Sequence, residues 1–413
     1  MSTQRPVIGT ILDGDLQNLV VPGPRGRLGR RQLLAPTWDD LTRHVILIGG
    51  TGTGKTVTLL RLAQATFATG PAEVGGPPPA VIYLDAKGLP DANRDSFLAM
   101  AEGAGARNII DWPNTPIDGF TGNTDDLRER LSGLWDAEES PFHHAEAVVL
   151  LRLILQSSPT PRTLSDLVAR SRPGATAAAF EAEGTPEALI RKYDAEQMSK
   201  AQWNGLHLRL AALEATAGNR LDRTPVAHQL HEADAAWISI PGTRAPQSAA
   251  DITAWLLHIV ADLATRPGRK RRTLVILDEF SAIGADKRSS SAAAGLVERT
   301  RSSGIALVVS TQTIEALGVN GPRLLRTAGT VVTHRTPQPD QLIALAGTEA
   351  RWEDSHTLDN LGRRRGVIGK SRQENRIPAN LIRELPVGEA VVIHQGRWGH
   401  VAVAHVDGAA APA

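Results

Sequence analysis

The sequence predicts an α/β fold in which a mainly parallel sheet, wrapped by helices, is interrupted by an all-α insertion. Three observations predict it. Short aliphatic runs end in glycine or acidic residues, as buried strands do. Amphipathic helical patterns alternate with those runs, which is the rhythm of a parallel sheet. From about 124 to 235 the strand pattern stops, and alanine, leucine, glutamate and arginine dominate.

At 413 residues the chain has room for one large domain or two moderate ones. Its 41% hydrophobic and 22% charged content is ordinary for a globular protein. The absence of cysteine excludes structural disulfides and thiolate zinc sites and fits a reducing cytoplasm. With a formal net charge of +1, the chain as a whole gives no electrostatic vote for nucleic acid, so local runs carry that question. No uncharged apolar stretch reaches the ~18 residues of a membrane-spanning helix. The best apolar run, "AEAVVLLRLIL" at 145–155, is broken by Glu146 and Arg152, and the N-terminus lacks the apolar centre of a signal peptide. The expectation is a soluble, cytoplasmic chain with no membrane span.

Taken in order, "HVILI" at 44–48 reads as a buried strand, and "VTLLRLAQATFA" places apolar residues at helical spacing. After a proline- and glycine-rich loop, "VIYLDAKG" is another buried strand, with a polar end at 85–88. The helical stretch contains "DDLRERLSGLW", "PRTLSDLVARS", "PEALIRKYDAEQ" and "QWNGLHLRLAALEATAG", and Thr163 with Asp166 forms a capping signal. The sheet pattern resumes at "AAWISIPG". Next, "DITAWLLHIVADLATR" puts Ile252, Trp255, Leu256, Ile259, Val260 and Leu263 on one helical face. "TLVILDEF", "IALVVSTQ" and "AGTVVTHR" follow as strands, and "EAVVIHQGRWGHVAVAHV" reads as a hairpin at a sheet edge. The expected division is a nucleotide-binding domain in two sections, 1–123 and 236–413, around an all-α domain at 124–235.

The chemistry begins with "GGTGTGKT", Gly49, Gly50, Thr51, Gly52, Thr53, Gly54, Lys55 and Thr56, a complete phosphate-loop pattern between a strand and a helix. Its glycines let backbone N–H groups turn inward around an anion, and the helix N-terminus adds partial positive charge. Lys55 would reach the outer phosphates of ATP, and Thr56 would offer its hydroxyl to Mg2+. In "TLVILDEF", a strand delivers Asp278 to hold magnesium and Glu279 to polarise an attacking water. The polar end of "IALVVSTQT" sets Ser310, Thr311 and Gln312 beside the phosphate loop if the strands are neighbours, where Gln312 can sense the terminal phosphate. In "LVERTRSSG", Arg301, ahead of Arg299, is a candidate to act on a neighbouring subunit's nucleotide. Glycine-flanked basic clusters at 24–31, 266–272 and 362–366 suit sequence-independent contact with phosphates. His143 and His144 lack metal-site spacing and read as helix surface.

The order phosphate loop, "VIYLDAKG", helical insertion, "AAWISIPG", "LVILDEFSAIG", "RTRSSGIALVVSTQT" resembles the FtsK/HerA superfamily of DNA-pumping ATPases. More narrowly, it resembles the TraG/TraD-like coupling proteins of conjugation and type IV secretion, across most of residues 40–395. "ESPFHHAEAVVLLRLIL" and "AGTVVTHRTPQPDQLIALAG" share in the likeness. The resemblance implies a RecA-like P-loop NTPase fold, a homo-hexamer, a DNA substrate and a helical domain facing a relaxosome or secretion-channel partner. It gives Lys55, Thr56, Asp278, Glu279 and Gln312 the roles just described, and Arg301 that of the trans arginine. Such coupling proteins typically carry N-terminal transmembrane helices. Without one here, either a separate partner recruits the chain to the inner face of the membrane or the chain serves a different DNA-handling system. Two other readings stay open: a HerA-type ATPase paired with a nuclease in DNA repair or defence, and a non-motor module that assembles a partner in a nucleotide-dependent way.

Overall fold

Aliphatic runs such as Val45–Ile48 and Leu274–Leu277 are buried on both faces, as befits central strands of a parallel sheet. The computed structural model describes residues 7–16, 19–26, 29–88, 92–133, 141–240, 246–265, 271–284, 287–358 and 364–406. Its strands in chain order are β1 (Gly9–Gly14), β2 (Val20–Gly26), β3 (Gly29–Leu34), β4 (Val45–Ile48), β5 (Ala80–Asp85), β6 (Ile109–Trp112) and β7 (Ala235–Ser239). Then come β8 (Thr273–Asp278), β9 (Ile305–Thr311), β10 (Thr330–Thr333), β11 (Thr348–Leu358), β12 (Arg364–Asn375), β13 (Glu389–His394) and β14 (Arg397–Val403).

A 12-stranded sheet runs β2-β3-β1-β14-β13-β10-β4-β9-β8-β5-β7-β6. From β10 to β6 every pairing is parallel. From β10 back to β2 every pairing is antiparallel. Each face of the sheet carries its own apolar core. On one, the helices Lys55–Phe67 and Ala92–Gly103 cover Leu47, Tyr83, Trp237 and Ile276. On the other, Ile82, Ile238, Val275 and Leu307 meet the helix Pro246–Thr265 and the helices between β6 and β7. The face expected from Ile252, Trp255, Leu256, Ile259, Val260 and Leu263 is buried at every position.

Between β6 and β7 the described chain is helical apart from short connections and one isolated bridge, Ile117 to His228. Three helix starts there carry reciprocal capping boxes: Asn123 with Asp126, Thr163 with Asp166, and Ser199 with Gln202. The entry and exit of this segment are stitched together, with Ile117 N donating to Arg220 O at 2.8 Å and Asp118 N to His228 O at 2.9 Å. Gly119 leaves no space beneath it, because a Cβ there would lie 2.7 Å from the Leu221 carbonyl oxygen. The Gly119 carbonyl accepts from the Trp255 indole at 3.1 Å and from the buried guanidinium of Arg130. Arg130 also reaches Thr121 O at 3.0 Å and the Asp262 carboxylate at 2.5 Å.

Three features differ from the sequence expectation. The β13–β14 hairpin lies inside the sheet, because β14 also pairs with β1; β2 forms the edge on that side. The N-terminal residues form three strands that the sequence pattern does not predict. Of these, β1 finds its partner in β14, almost 400 residues away, while β3 pairs with β1 and β2 with β3; tertiary pairing of the β1–β14 kind overrides local preference. Finally, β11 and β12 make a separate two-stranded ribbon after the helix Asp340–Ala346. Of the basic clusters, residues 27–28, 266–270 and 362–363 lie outside the described residues. No described helix is long and apolar enough to cross a membrane.

Trp255 joins the helical segment to the sheet through its fully buried ring, its indole hydrogen bond and its edge contact with Phe120. Trp255→Ala is expected to destabilise the protein by about 3–5 kcal/mol. Urea unfolding of variant and parent measures this.

Candidate active site

The loop after β4 is shaped by its glycines and by the two strands beside it. Gly49 N donates to Thr311 O at 3.3 Å and Gly50 N to Arg335 O at 3.0 Å, so β9 and the end of β10 hold its base. Gly52 and Gly54 have φ of +73° and +109°, a region that side chains with a Cβ rarely adopt. Gly49 has no room for a larger residue, since a Cβ would come within 2.7 Å of His334 Cβ and 2.9 Å of Thr53 Oγ1. Lys55 then opens the helix Lys55–Phe67, whose first N–H groups have no side-chain cap. Its Nζ is folded back onto the loop, donating to Gly49 O at 2.7 Å and Gly50 O at 3.1 Å. Burial lowers the Lys55 pKa, opposed by the Glu279 and Asp278 carboxylates, while Lys87 adds to the lowering.

Facing this loop, β8 ends in Asp278, which lies level with Asp85 on β5. Asp278 Oδ1 accepts from the Glu279 backbone N–H at 2.8 Å. Its Oδ2 accepts from the Tyr83 hydroxyl at 2.9 Å and lies 3.5 Å from Thr56 Oγ1. Glu279 sits in the left-handed region at φ +52°. That conformation costs a non-glycine residue roughly 1–3 kcal/mol and turns the side chain away from the direction of the strand. The Glu279 carboxylate is gripped by the Gln312 side-chain amide and by Ser281 Oγ at 3.1 Å, and Lys87 Nζ stands 3.9 Å away.

The structure therefore brings together Lys55, Thr56, Asp278, Glu279 and Gln312. Arg301 is elsewhere. It opens the turn Arg301–Ser303 ahead of β9, whereas Gln312 follows that strand's far end. The length of β9, roughly 20 Å, separates the two within one chain. The side chains of Arg299 and Arg301 are outside the described part of the structure. His143 is exposed and its ring nitrogen lies 3.0 Å from Glu146; no metal-holding cluster occurs among the described residues.

Sequence reasoning missed Tyr83, Lys87, Ser281 and His334. The signal for His334 was only a polar residue closing "TVVTH". Its Nδ1–H donates to Glu389 O at 2.8 Å, since a carbonyl can only accept, and its Nε2 then accepts from Thr58 Oγ1 at 2.9 Å. It thus ties the end of β10 to the helix after the phosphate loop and to β13. Burial pushes its pKa from 6.5 down to about 4, helped by the nearby Lys55 charge and opposed by the Glu389 carbonyl.

No family model matches the sequence, and no curated protein matches it either. Solved structures do match. The bacterial conjugative coupling protein TrwBdeltaN70, in its trigonal form with sulphate, has a TM-score of 0.64 and 15% identity, covering 98% of this chain and 95% of that one. The fold is that of TrwB. TrwB in complex with ADP and Mg2+ is 17% identical with a TM-score of 0.63, over 98% of this chain and 95% of its own. VirB4 of Thermoanaerobacter pseudethanolicus is 15% identical with a TM-score of 0.54, over 96% of this chain and 98% of its own. The shared frame with TrwB spans the parallel sheet and the helical segment alike, because the match covers nearly the whole of both chains.

The depressed pKa of His334 has a consequence for stability. Between pH 6.5 and about 4 the unfolded chain binds a proton that the folded chain refuses. The folded state therefore loses stability as pH falls through that window, by about 3 kcal/mol from this residue. His334→Gln should flatten the acid limb of stability by that amount, read from urea unfolding between pH 4 and 7.

Proposed function

We propose that this chain is a magnesium-dependent ATPase motor that moves DNA without sequence preference, of the coupling-protein type used in conjugation and type IV secretion. The observation that carries the reading is the meeting of the Lys55 loop, the Thr56–Asp278 pair and the Glu279–Gln312 pair at one edge of one sheet. The structural neighbours agree with it: TrwB is a conjugative coupling protein that has been captured with ADP and Mg2+.

The residues fit the groups they would hold. Thr56 Oγ1 and Asp278 Oδ2 are hard oxygen donors 3.5 Å apart, a pair suited to magnesium and its water shell. Backbone N–H groups from Thr51 to Thr56, beyond the two that bond to Thr311 and Arg335, would face a phosphate chain, and Lys55 would exchange the carbonyls of Gly49 and Gly50 for phosphate oxygens. Magnesium supplies neutralisation of the charge developing on the transferred phosphoryl group. Glu279 orients and polarises the attacking water. Gln312, bound to that same carboxylate, senses the terminal phosphate and passes its presence or loss to β9.

Arg301 cannot serve its own site across the length of β9, so it serves the next subunit of a ring, as a homo-hexamer requires. There its guanidinium stabilises charge in phosphoryl transfer. Residues 124–235 form the all-α domain that meets a relaxosome or secretion-channel partner.

Purified protein should hydrolyse ATP faster when DNA is added. Lys55→Ala and Glu279→Gln should each lower kcat at least about 100-fold. Undiminished turnover in Glu279→Gln would instead favour a nucleotide-dependent assembly module. Subunit sharing has its own readout: mixing inactive Arg301→Ala with inactive Lys55→Ala protein should restore measurable turnover. Mixtures as inactive as their components would remove Arg301 from the site.

A further inference from the structure

Tyr83 is an aromatic residue with a polar tip in an otherwise aliphatic strand, "AVIYLD". It is fully buried, and its hydroxyl meets the one carboxylate that also faces Thr56. The register explains the match. Tyr83 lies opposite Ile276, and Asp278 is two residues further along the neighbouring parallel strand. Two residues of strand rise about 6.6 Å, which is close to the reach of a tyrosine side chain. Leucine or valine at this position could fill the core but could not donate to Asp278.

The ring itself is held by two other rings. Trp237 stacks on it at 4.3 Å with planes 17° apart, and Phe97 meets it edge-on at 5.7 Å. Phe97 in turn packs on Trp237 at 5.5 Å, closing an aromatic trio. The hydroxyl position is therefore set by packing from β7 and the helix Ala92–Gly103, both away from the phosphate loop. Asp278 is fixed at each oxygen, by Glu279 N at Oδ1 and by Tyr83 at Oδ2. Its contact with Thr56, at 3.5 Å, is longer than an ordinary hydroxyl hydrogen bond.

We propose that Tyr83 is a positioning residue for Asp278: through its hydroxyl it orients the carboxylate toward Thr56 and so sets the magnesium requirement for nucleotide binding. The proposal rests on the reading that Asp278 and Thr56 hold magnesium. Groups that hydrogen-bond a metal-holding side chain fix its orientation, and their loss commonly weakens metal affinity 10- to 100-fold.

The test is calorimetric ADP binding by the full chain across a magnesium titration and in EDTA. Tyr83→Phe keeps the ring in the aromatic trio, so its thermal melting should stay close to that of the parent. Its half-saturating magnesium concentration should rise about tenfold or more, while ADP affinity in EDTA stays unchanged. The effect of Tyr83→Phe should also vanish in an Asp278→Asn background. A titration superimposable on the parent's overturns the proposal, as does a tyrosine effect that persists without the Asp278 carboxylate. If the parent itself binds ADP without regard to magnesium, the magnesium reading of Asp278 and Thr56 falls, and the proposal with it. A parent that needs magnesium beside an indifferent Tyr83→Phe sinks the role of the tyrosine alone.

Discussion

Parallel pairing places the carboxyl ends of β4, β9, β8 and β5 along one line: Ile48 lies beside Thr311, Leu277 beside Val309, and Asp278 beside Asp85. Every group in the candidate site leaves the sheet within a few residues of that line. The phosphate loop follows Ile48, Gln312 follows Thr311, and Glu279 follows Asp278. A slip of one residue in any of these pairings would send the chemistry to the opposite face of the sheet. The aliphatic burial of the strands, which fixes that register, therefore decides the geometry of the site as much as the polar residues do.

The electrostatics of the site follow from the same crowding. Lys55 is buried beside two carboxylates, and His334 lies close enough to feel its charge. A protonated histidine there would be a second buried cation whose ring nitrogens face a carbonyl and a hydroxyl, and burial disfavours it. The imidazole stays neutral and works as a tie between β10, β13 and the helix after the loop. The positive charge at the loop then comes from Lys55 and from backbone N–H groups, with Lys87 drawn toward Glu279.

Much of this was legible in the sequence, for reasons that are local. "GGTGTGKT" needs its glycines for backbone conformations that other residues avoid, and "LVILDEF" shows a strand delivering acids to its end. Short-range spacing also revealed the buried face of Pro246–Thr265 and the capping box at Thr163. What stayed hidden is long-range. Tyr83 and Asp278 are 195 residues apart, and His334 and Thr58 are 276 apart. No spacing rule connects them, because sheet order rather than chain order makes them neighbours. The N-terminal strands were missed in part for the same reason: their residues are poor strand formers, and β1, on which β3 and then β2 are built, takes its register from β14. The placement of β13–β14 inside the sheet is the other half of that pairing.

The stitched entry and exit between β6 and β7 close the helical segment at a neck, while its inner faces share one apolar core with the sheet and the helix Pro246–Thr265. The Ile117–Arg220 and Asp118–His228 hydrogen bonds bring its two ends side by side, with Gly119 pressed against Leu221 where no larger residue fits. A segment attached in this way can change its outer surface freely while the sheet beneath it keeps its order. The neck confines such variation to one side of the sheet, like a tool head exchanged on a fixed handle.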